Sequence, residues 1–358
     1  MFMEAMSSAK KVVAVTGAGG QLGRLVVSRL LEKETVSEVR AIDVVEPSLT
    51  HKKLKSIVID IRSSELKKHF AGVDVVIHLA FVVTHYLPRE EFDDINVHGS
   101  RLVFEAAANQ GVRQIVYASS IAAYGVCVGH TLPLKEDAAR VHVQAFPYSS
   151  AKFRVEQFLD QFETKQPALR IVRLRPSILV GQNMNNPLSA LFAQALRKGY
   201  LVGNDSAPMP LVWDEDVAEA CILAVDKNAH GAYNISAEKL LTSKEIAESL
   251  GLRTLDPKGP LKLLLDAIAV AKARFGVKDA IDPAWSKYGD IPMSSCINKA
   301  KDELGWTPRY ATSVEIIRAF LDYVGTGAKA KENTNTPFGT MLGNVSRVIT
   351  KRILGGTK

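Results

Sequence analysis

The stretch VVAVTGAGGQLG, residues 12–23, decides the fold. Val12, Val13, Ala14 and Val15 form an apolar run without polar alternation, the pattern of a strand buried on both faces. Gly17, Gly20 and Gly23 then follow at G-x-x-G-x-x-G spacing, with Ala18, Gly19, Gln21 and Leu22 between them. From residue 21 the apolar spacing becomes helical, through Leu22, Leu25, Val26 and Leu30. Glycines at a strand-to-helix turn let the backbone approach a pyrophosphate, which sits at the positive end of the helix. A tight structural turn yields the same glycines, but the position between strand and helix is the context a dinucleotide site requires.

Further along, VRAID (39–43), SIVID (56–60), VDVVIHLA (73–80), QIVYASS (114–120) and RIVRLRP (170–176) read as strands. Helical patterns lie between most of them, notably over 95–112 and 149–163. Buried strands alternating with helices predict an α/β protein, a Rossmann-type doubly wound parallel sheet. Asp43 ends the second strand, where a carboxylate accepts hydrogen bonds from an adenosine ribose diol and repels a 2′-phosphate. That selects NAD over NADP, the other reading being a surface aspartate at a strand end. Asp60, with Ile61 beside it, ends the next strand and either holds the adenine amino group or caps the following turn.

Past residue 180 the alternation weakens, and 186–199, 214–225, 244–251 and 261–276 read as helices of a smaller, mainly C-terminal substrate-binding lobe. The expected division is a disordered lead-in over 1–10, an NAD-binding domain over 11–180, a substrate lobe over 181–325 with interleaved boundaries, and a linker with a terminal segment over 326–358. In that last segment Phe338, Met341, Leu342, Val345, Val348, Ile349 and Ile353 recur at helical spacing beside Arg347, Lys351 and Arg352. Such a helix lies in a membrane interface, or packs on its own domain or a partner.

Composition narrows the class. The 358 residues are 47% hydrophobic and 23% charged, as in ordinary globular proteins. Cys127, Cys221 and Cys296 are far apart, without metal-ligand spacing, so neither a metal site nor a disulfide framework is expected and a reducing cytoplasm fits. No secretory leader and no membrane-spanning run is read. A net charge of +7 without a nucleic-acid motif gives no reason to expect nucleic acid.

The run AFPYSSAK (145–152) places Tyr148 and Lys152 four apart, on one face of a helix. Together with TGAGGQLG it resembles the extended short-chain dehydrogenase/reductases, the group of NAD-dependent epimerases and dehydratases and of 3β-hydroxysteroid dehydrogenases. HLA (78–80), NVHG (96–99), SSIAAYG (119–125), RPS (175–177), DEDVA (214–218) and DELGWTP (302–308) follow in family order, so the resemblance spans roughly residues 10–325. It implies that Tyr148 exchanges a proton with the substrate oxygen, that Lys152 lowers the tyrosine pKa and holds the nicotinamide ribose, and that Ser120 hydrogen-bonds the reacting group. It further implies that Leu79 and Ala80 line the cofactor channel and that Pro176 to Ile178 contact the nicotinamide. His78 and Asn96 are expected to be structural. A homodimer through helices near 95–110 and 149–163 is also implied.

For the substrate, Thr84 and His85 sit in a loop that either faces it or is simply solvated. Nucleotide-sugar enzymes resemble G-D-G-x-x-x-R-D-F-x-H-V-x-D-V-A where this chain has GNDSAPMPLVWDEDVA (203–218). Met209 and Pro210 stand where the diphosphate-binding arginine and the acid would be, unless Arg197 or Lys198 supplies that contact. The departure points to an apolar, sterol-like substrate and a 3β-hydroxysteroid or sterol-4-carboxylate 3-dehydrogenase. The alternatives are a nucleotide-sugar 4-epimerase or dehydratase, a reductase of plant phenylpropanoid type, which Asp43 disfavours, and a non-catalytic NAD-binding regulator.

Overall fold

Alternate side chains of β1 (Lys11–Thr16) enter different cores, which is why its sequence is apolar without alternation. Val13 and Val15 pack with Val26, Val27 and Leu30 of α1 (Gln21–Glu32) on one face. Ala14 packs on the other face with Val103, Phe104, Val155 and Leu159. The computed structural model describes residues 10–83, 87–183, 187–203, 207–255 and 291–327, with 267, 271, 282, 284 and 285.

The chain continues through β2 (Val36–Asp43), β3 (Leu54–Val58), β4 (Val75–His78), α2 (Arg89–Asp93), α3 (Gly99–Asn109), β5 (Gln114–Ala118), α4 (Pro147–Lys165) and β6 (Arg170–Pro176). Then follow β7 (Ile178–Val180), α5 (Pro187–Arg197), β8 (Tyr200–Val202), β9 (Leu211–Trp213), α6 (Asp214–Asp226), β10 (Gly231–Ile235), α7 (Ser243–Leu250), β11 (Arg253–Leu255) and α8 (Ser313–Gly327). Seven strands form one parallel sheet in the order β10-β6-β5-β4-β1-β2-β3, with helices covering both faces. This is the doubly wound sheet read from the sequence. The strand order reverses between β1 and β4, and the crevice outside their carboxyl ends is where such sheets take ligands.

Two strands end earlier than their apolar runs suggest, for local reasons. β4 stops at His78; the Leu79 amide still donates to the Thr16 carbonyl at 3.0 Å, and the Leu79–Ala80 backbone then lies against Gly17. β5 stops at Ala118 because Ser120 caps a short 3₁₀ turn, Ile121–Tyr124, its hydroxyl accepting the Ala122 amide at 3.1 Å. The helix read over 95–112 opens as a π turn, Asp94–His98, before α3.

β10 was not legible as a strand, yet it completes the sheet and supplies a junction. The side chain of Asn234 accepts the Tyr124 hydroxyl at 2.8 Å and donates to the carbonyls of Leu134 at 3.0 Å and Cys296 at 3.1 Å. β7, β9, α5, α7 and α8 gather a separate core around Trp213, Ile246, Ile316, Ile317 and Phe320. The helix expected over 261–276, the segment 336–356, and Thr84 and His85 lie outside the described residues. No helix among the described residues is long and apolar enough to cross a membrane.

Candidate active site

The glycine turn is closed by contacts that leave no room for side chains. Gly17 has φ +73°, and a Cβ there would stand 2.5 Å from the Ala80 backbone nitrogen. A Cβ on Gly23 would stand 2.0 Å from the Gly17 carbonyl oxygen. The first turn of α1 carries no acidic residue and no side-chain cap, so no capping side chain competes for its leading N–H groups. That donor set suits a pyrophosphate.

Asp43 reaches this turn from β2. One carboxylate oxygen accepts the Gly19 amide at 2.9 Å and the other accepts Val45 at 3.1 Å. A carboxylate has about four acceptor positions, so capacity for a ribose diol remains. Gln21 and Leu22 begin α1; the Gln21 amide reaches Asp214 at 3.4 Å, and Leu22 packs partly buried on the core. Asp60 is engaged by Arg62, which donates to it from the backbone at 2.8 Å and from its guanidinium at 3.0 and 2.6 Å and bridges on to Asp94. This pairing holds the Asp60 carboxyl below its usual range. Ile61 is buried in the core beside Gly99. Leu79 and Ala80 lie against Gly17, whereas Pro176 ends β6 and Ile178 is half-exposed.

Ser120, Tyr148 and Lys152 come together at the carboxyl ends of β5 and β4. Pro147 starts α4, its fixed φ suited to a first helical turn, which places Tyr148 in that turn and Lys152 one turn further along the helix. Burial pushes the Tyr148 hydroxyl up to about 12, opposed by a hydrogen bond with the Ser120 hydroxyl. Lys152 is almost completely buried. Its ammonium donates to the Ala118 carbonyl at 2.6 Å and the Tyr117 hydroxyl at 3.2 Å, and lies 3.5 Å from the centroid of the Phe81 ring. It sits 5.8 Å from the Tyr148 ring centroid, so here it is held by Ala118, Tyr117 and Phe81, and burial dominates the tyrosine. Burial also drives the lysine well below its ordinary range.

His78 and Asn96 are structural, as expected. His78 is fully buried, Nδ1 at 2.7 Å from the Thr16 hydroxyl and Nε2 at 2.9 Å from Ser100. Asn96 accepts the Val82 amide at 2.7 Å and donates to the Val82 carbonyl at 3.0 Å, fixing the segment after Phe81.

Sequence reasoning missed the aromatic surround. Phe81, Phe146 and Trp285 approach the Tyr148 ring with centroids at 5.8, 6.2 and 5.1 Å. Only Phe146 could have been suspected, from its place two residues before the tyrosine. Met209 packs partly buried on the C-terminal lobe's core, and Pro210 accepts the Ile178 amide at 2.8 Å. That bond ties the 203–218 stretch to the strand leaving Pro176.

A family model described as the NAD dependent epimerase/dehydratase family matches residues 13–236. The chain belongs to this family. It is an enzyme of the extended short-chain dehydrogenase/reductase type, and its cofactor is NAD. Among relatives of this epimerase/dehydratase family, the uncharacterised protein y4nG of Sinorhizobium fredii is 25% identical, over 87% of this chain and 78% of its own. A monkeypox virus protein named 3 beta-hydroxysteroid dehydrogenase/Delta 5-->4-isomerase is 24% identical, over 86% and 97%. Among solved structures, the UDP-N-acetylglucosamine 4-epimerase of Methanobrevibacter ruminantium, in complex with UDP-N-acetylmuramic acid, superposes with a TM-score of 0.69 at 21% identity, over 89% of this chain and 100% of its own. At that identity the likeness bears on the fold alone.

Proposed function

We propose that this enzyme oxidises a secondary alcohol on a flat apolar substrate, as a 3β-hydroxysteroid or sterol-4-carboxylate 3-dehydrogenase does. The carrying observation is the cluster of aromatic rings about the Tyr148 ring, Phe81, Phe146 and Trp285. Aromatic rings recover free energy by covering apolar surface, and offer a sugar diphosphate no cation. Met209-Pro210, in place of an arginine-acid pair, supports the same reading, as does the name of the viral relative.

In this reading Gly17, Gly19, Gly20 and Gly23 with the α1 N-terminus hold the pyrophosphate, and Asp43 takes the adenosine ribose. When bound, NAD supplies the hydride acceptor. Tyr148 accepts the alcohol proton on its phenolate oxygen, and Ser120 orients the same substrate oxygen. Lys152 turns from Ala118 toward the ribose and the tyrosine, bringing its positive charge to bear on the phenolate. Because Tyr148 acts deprotonated and starts high, alcohol oxidation rises with pH until Lys152 loses its proton. Ketone reduction uses the protonated hydroxyl and is favoured at lower pH.

The test is NADH production from a panel of 3β-hydroxysteroids, some 4-carboxylated, beside nucleotide sugars. Turnover on sterols that Tyr148→Phe lowers by about 10²-fold or more supports the reading. No NADH from any sterol, together with C4 interconversion of a nucleotide sugar without net NADH release, overturns it and assigns the site to a 4-epimerase.

A further inference from the structure

Glu156 is a buried carboxylate that neither cofactor nor substrate reaches in the reading above. It lies one helical turn beyond Lys152 on the same face of α4 and is completely buried. The Ser119 hydroxyl donates to its Oε1. Arg175 donates Nε–H to Oε1 at 2.9 Å and Nη2–H to Oε2, a bidentate clamp from β6. Arg140 reaches Oε2 at 2.9 Å from the loop before α4, and Arg173 stands 3.9 Å away. One carboxylate thus ties together the strand end that presents Ser120, the helix that carries Tyr148 and Lys152, and the strand that ends at Pro176.

We infer that Glu156 is a positioning residue that keeps Lys152 charged at neutral pH, so that the ammonium remains available to the cofactor. The inference rests on the role given to Lys152 above, and not on the identity of the substrate. Lys152 is almost completely buried, so little water reaches it to support its charge. The groups facing it are Tyr148 and Glu156 from its own helix, Tyr117 from β5 and His78 from β4. Tyr117, Tyr148 and His78 are neutral near pH 7, so Glu156 supplies the balancing negative charge, raising the lysine against the burial that lowers it. Glu156 is itself faced by Arg173 and Arg175 from β6 and Arg140 from the loop, with Asp160 and Glu163 further along α4 sharing Arg140 and Arg173. The arginines hold Glu156 ionised, and the two outer carboxylates keep the cluster from becoming strongly positive.

The experiment is NADH affinity by fluorescence, on the full chain, from about pH 6 to pH 10. Wild type is expected to lose affinity on the alkaline side as Lys152 deprotonates, and Lys152→Met to show no such break. Glu156→Gln, which keeps the shape and removes the charge, should move the break to lower pH and regain near wild-type affinity at the acid end. A uniform loss at every pH, or an unmoved break, overturns the inference and leaves Glu156 a purely structural tie. If Glu156→Gln does not fold, Arg140→Ala at the partly exposed rim serves instead. Removing that cation strengthens the carboxylate's field at Lys152, so the break should move to higher pH, and an unmoved break again overturns the inference. A break that persists in Lys152→Met overturns the role of Lys152 itself. Sterol turnover enters none of these outcomes, so failure of the substrate assignment is read separately.

Discussion

The imidazole of His78 has its two nitrogens fixed in different roles by what surrounds them. Ser100 donates its hydroxyl hydrogen to the Asn96 carbonyl and so can only accept from Nε2–H. Nδ1 is therefore the acceptor for the Thr16 hydroxyl. Burial depresses the His78 pKa to about 3, against about 6.5 in an unfolded chain. The unfolded state thus binds a proton below about pH 6.5 that the native state refuses, so stability from this site is complete above that pH and is lost as pH falls toward 3. Urea unfolding of wild type should lose about 1.4 kcal/mol per pH unit more in that window than His78→Gln, which cannot charge. The variant is less stable at pH 7, and the gap narrows as pH falls. Gly17→Ala is predicted to lower NAD affinity by at least about tenfold and to destabilise the fold, because the new Cβ meets the Ala80 backbone at positive φ. Both residues were legible in the sequence, one as a core histidine and one as a turn glycine. Phe81 and Trp285 were not, since they come from positions far apart in the chain and meet only around the tyrosine.

At the scale of elements, local chemistry sets the ends. Thr242 and Glu245 form a reciprocal capping box at α7, at 3.2 and 2.8 Å. Thr242→Ala should cost about 1 kcal/mol in chemical denaturation and leave activity unchanged. Thr312 and Glu315 repeat the device at α8, at 3.1 and 3.0 Å. The signature T-S-V-E followed by Ile316, Ile317 and Phe320 is therefore a helix start legible in the sequence. Helices with a glycine turn or a Pro147 before them were located to within a residue or two. The π turn at Asp94–His98 was not, because it answers to a tertiary demand: Asn96 must face Val82. Asn96→Ala should release that segment and, through Phe81, the seat of Lys152, lowering kcat/KM by about tenfold with a smaller effect on Tm.

Across the whole molecule, Trp306 joins distant parts. It is fully buried, donates to the Asp216 carbonyl at 2.8 Å, and packs among residues of α6 and β10. Trp306→Ala should cost about 3–5 kcal/mol, enough to unfold much of the protein at 37 °C, as circular dichroism melting would report. The motif around it was readable as a resemblance, and its purpose only from the packing. The Asn234 junction has a consequence for how the protein is made. Synthesis proceeds from the N-terminus, so β1 through β6 and the glycine turn emerge first and can begin to associate. The partners of Asn234 span residues 124 to 296, so the turn bearing Tyr124 is anchored only after most of the chain has left the ribosome. A nascent chain arrested before Gly231 would carry the glycine turn and Ser120, Tyr148 and Lys152 while lacking the strand that anchors Tyr124, and would present the open edge of β6 to chaperones or to other chains.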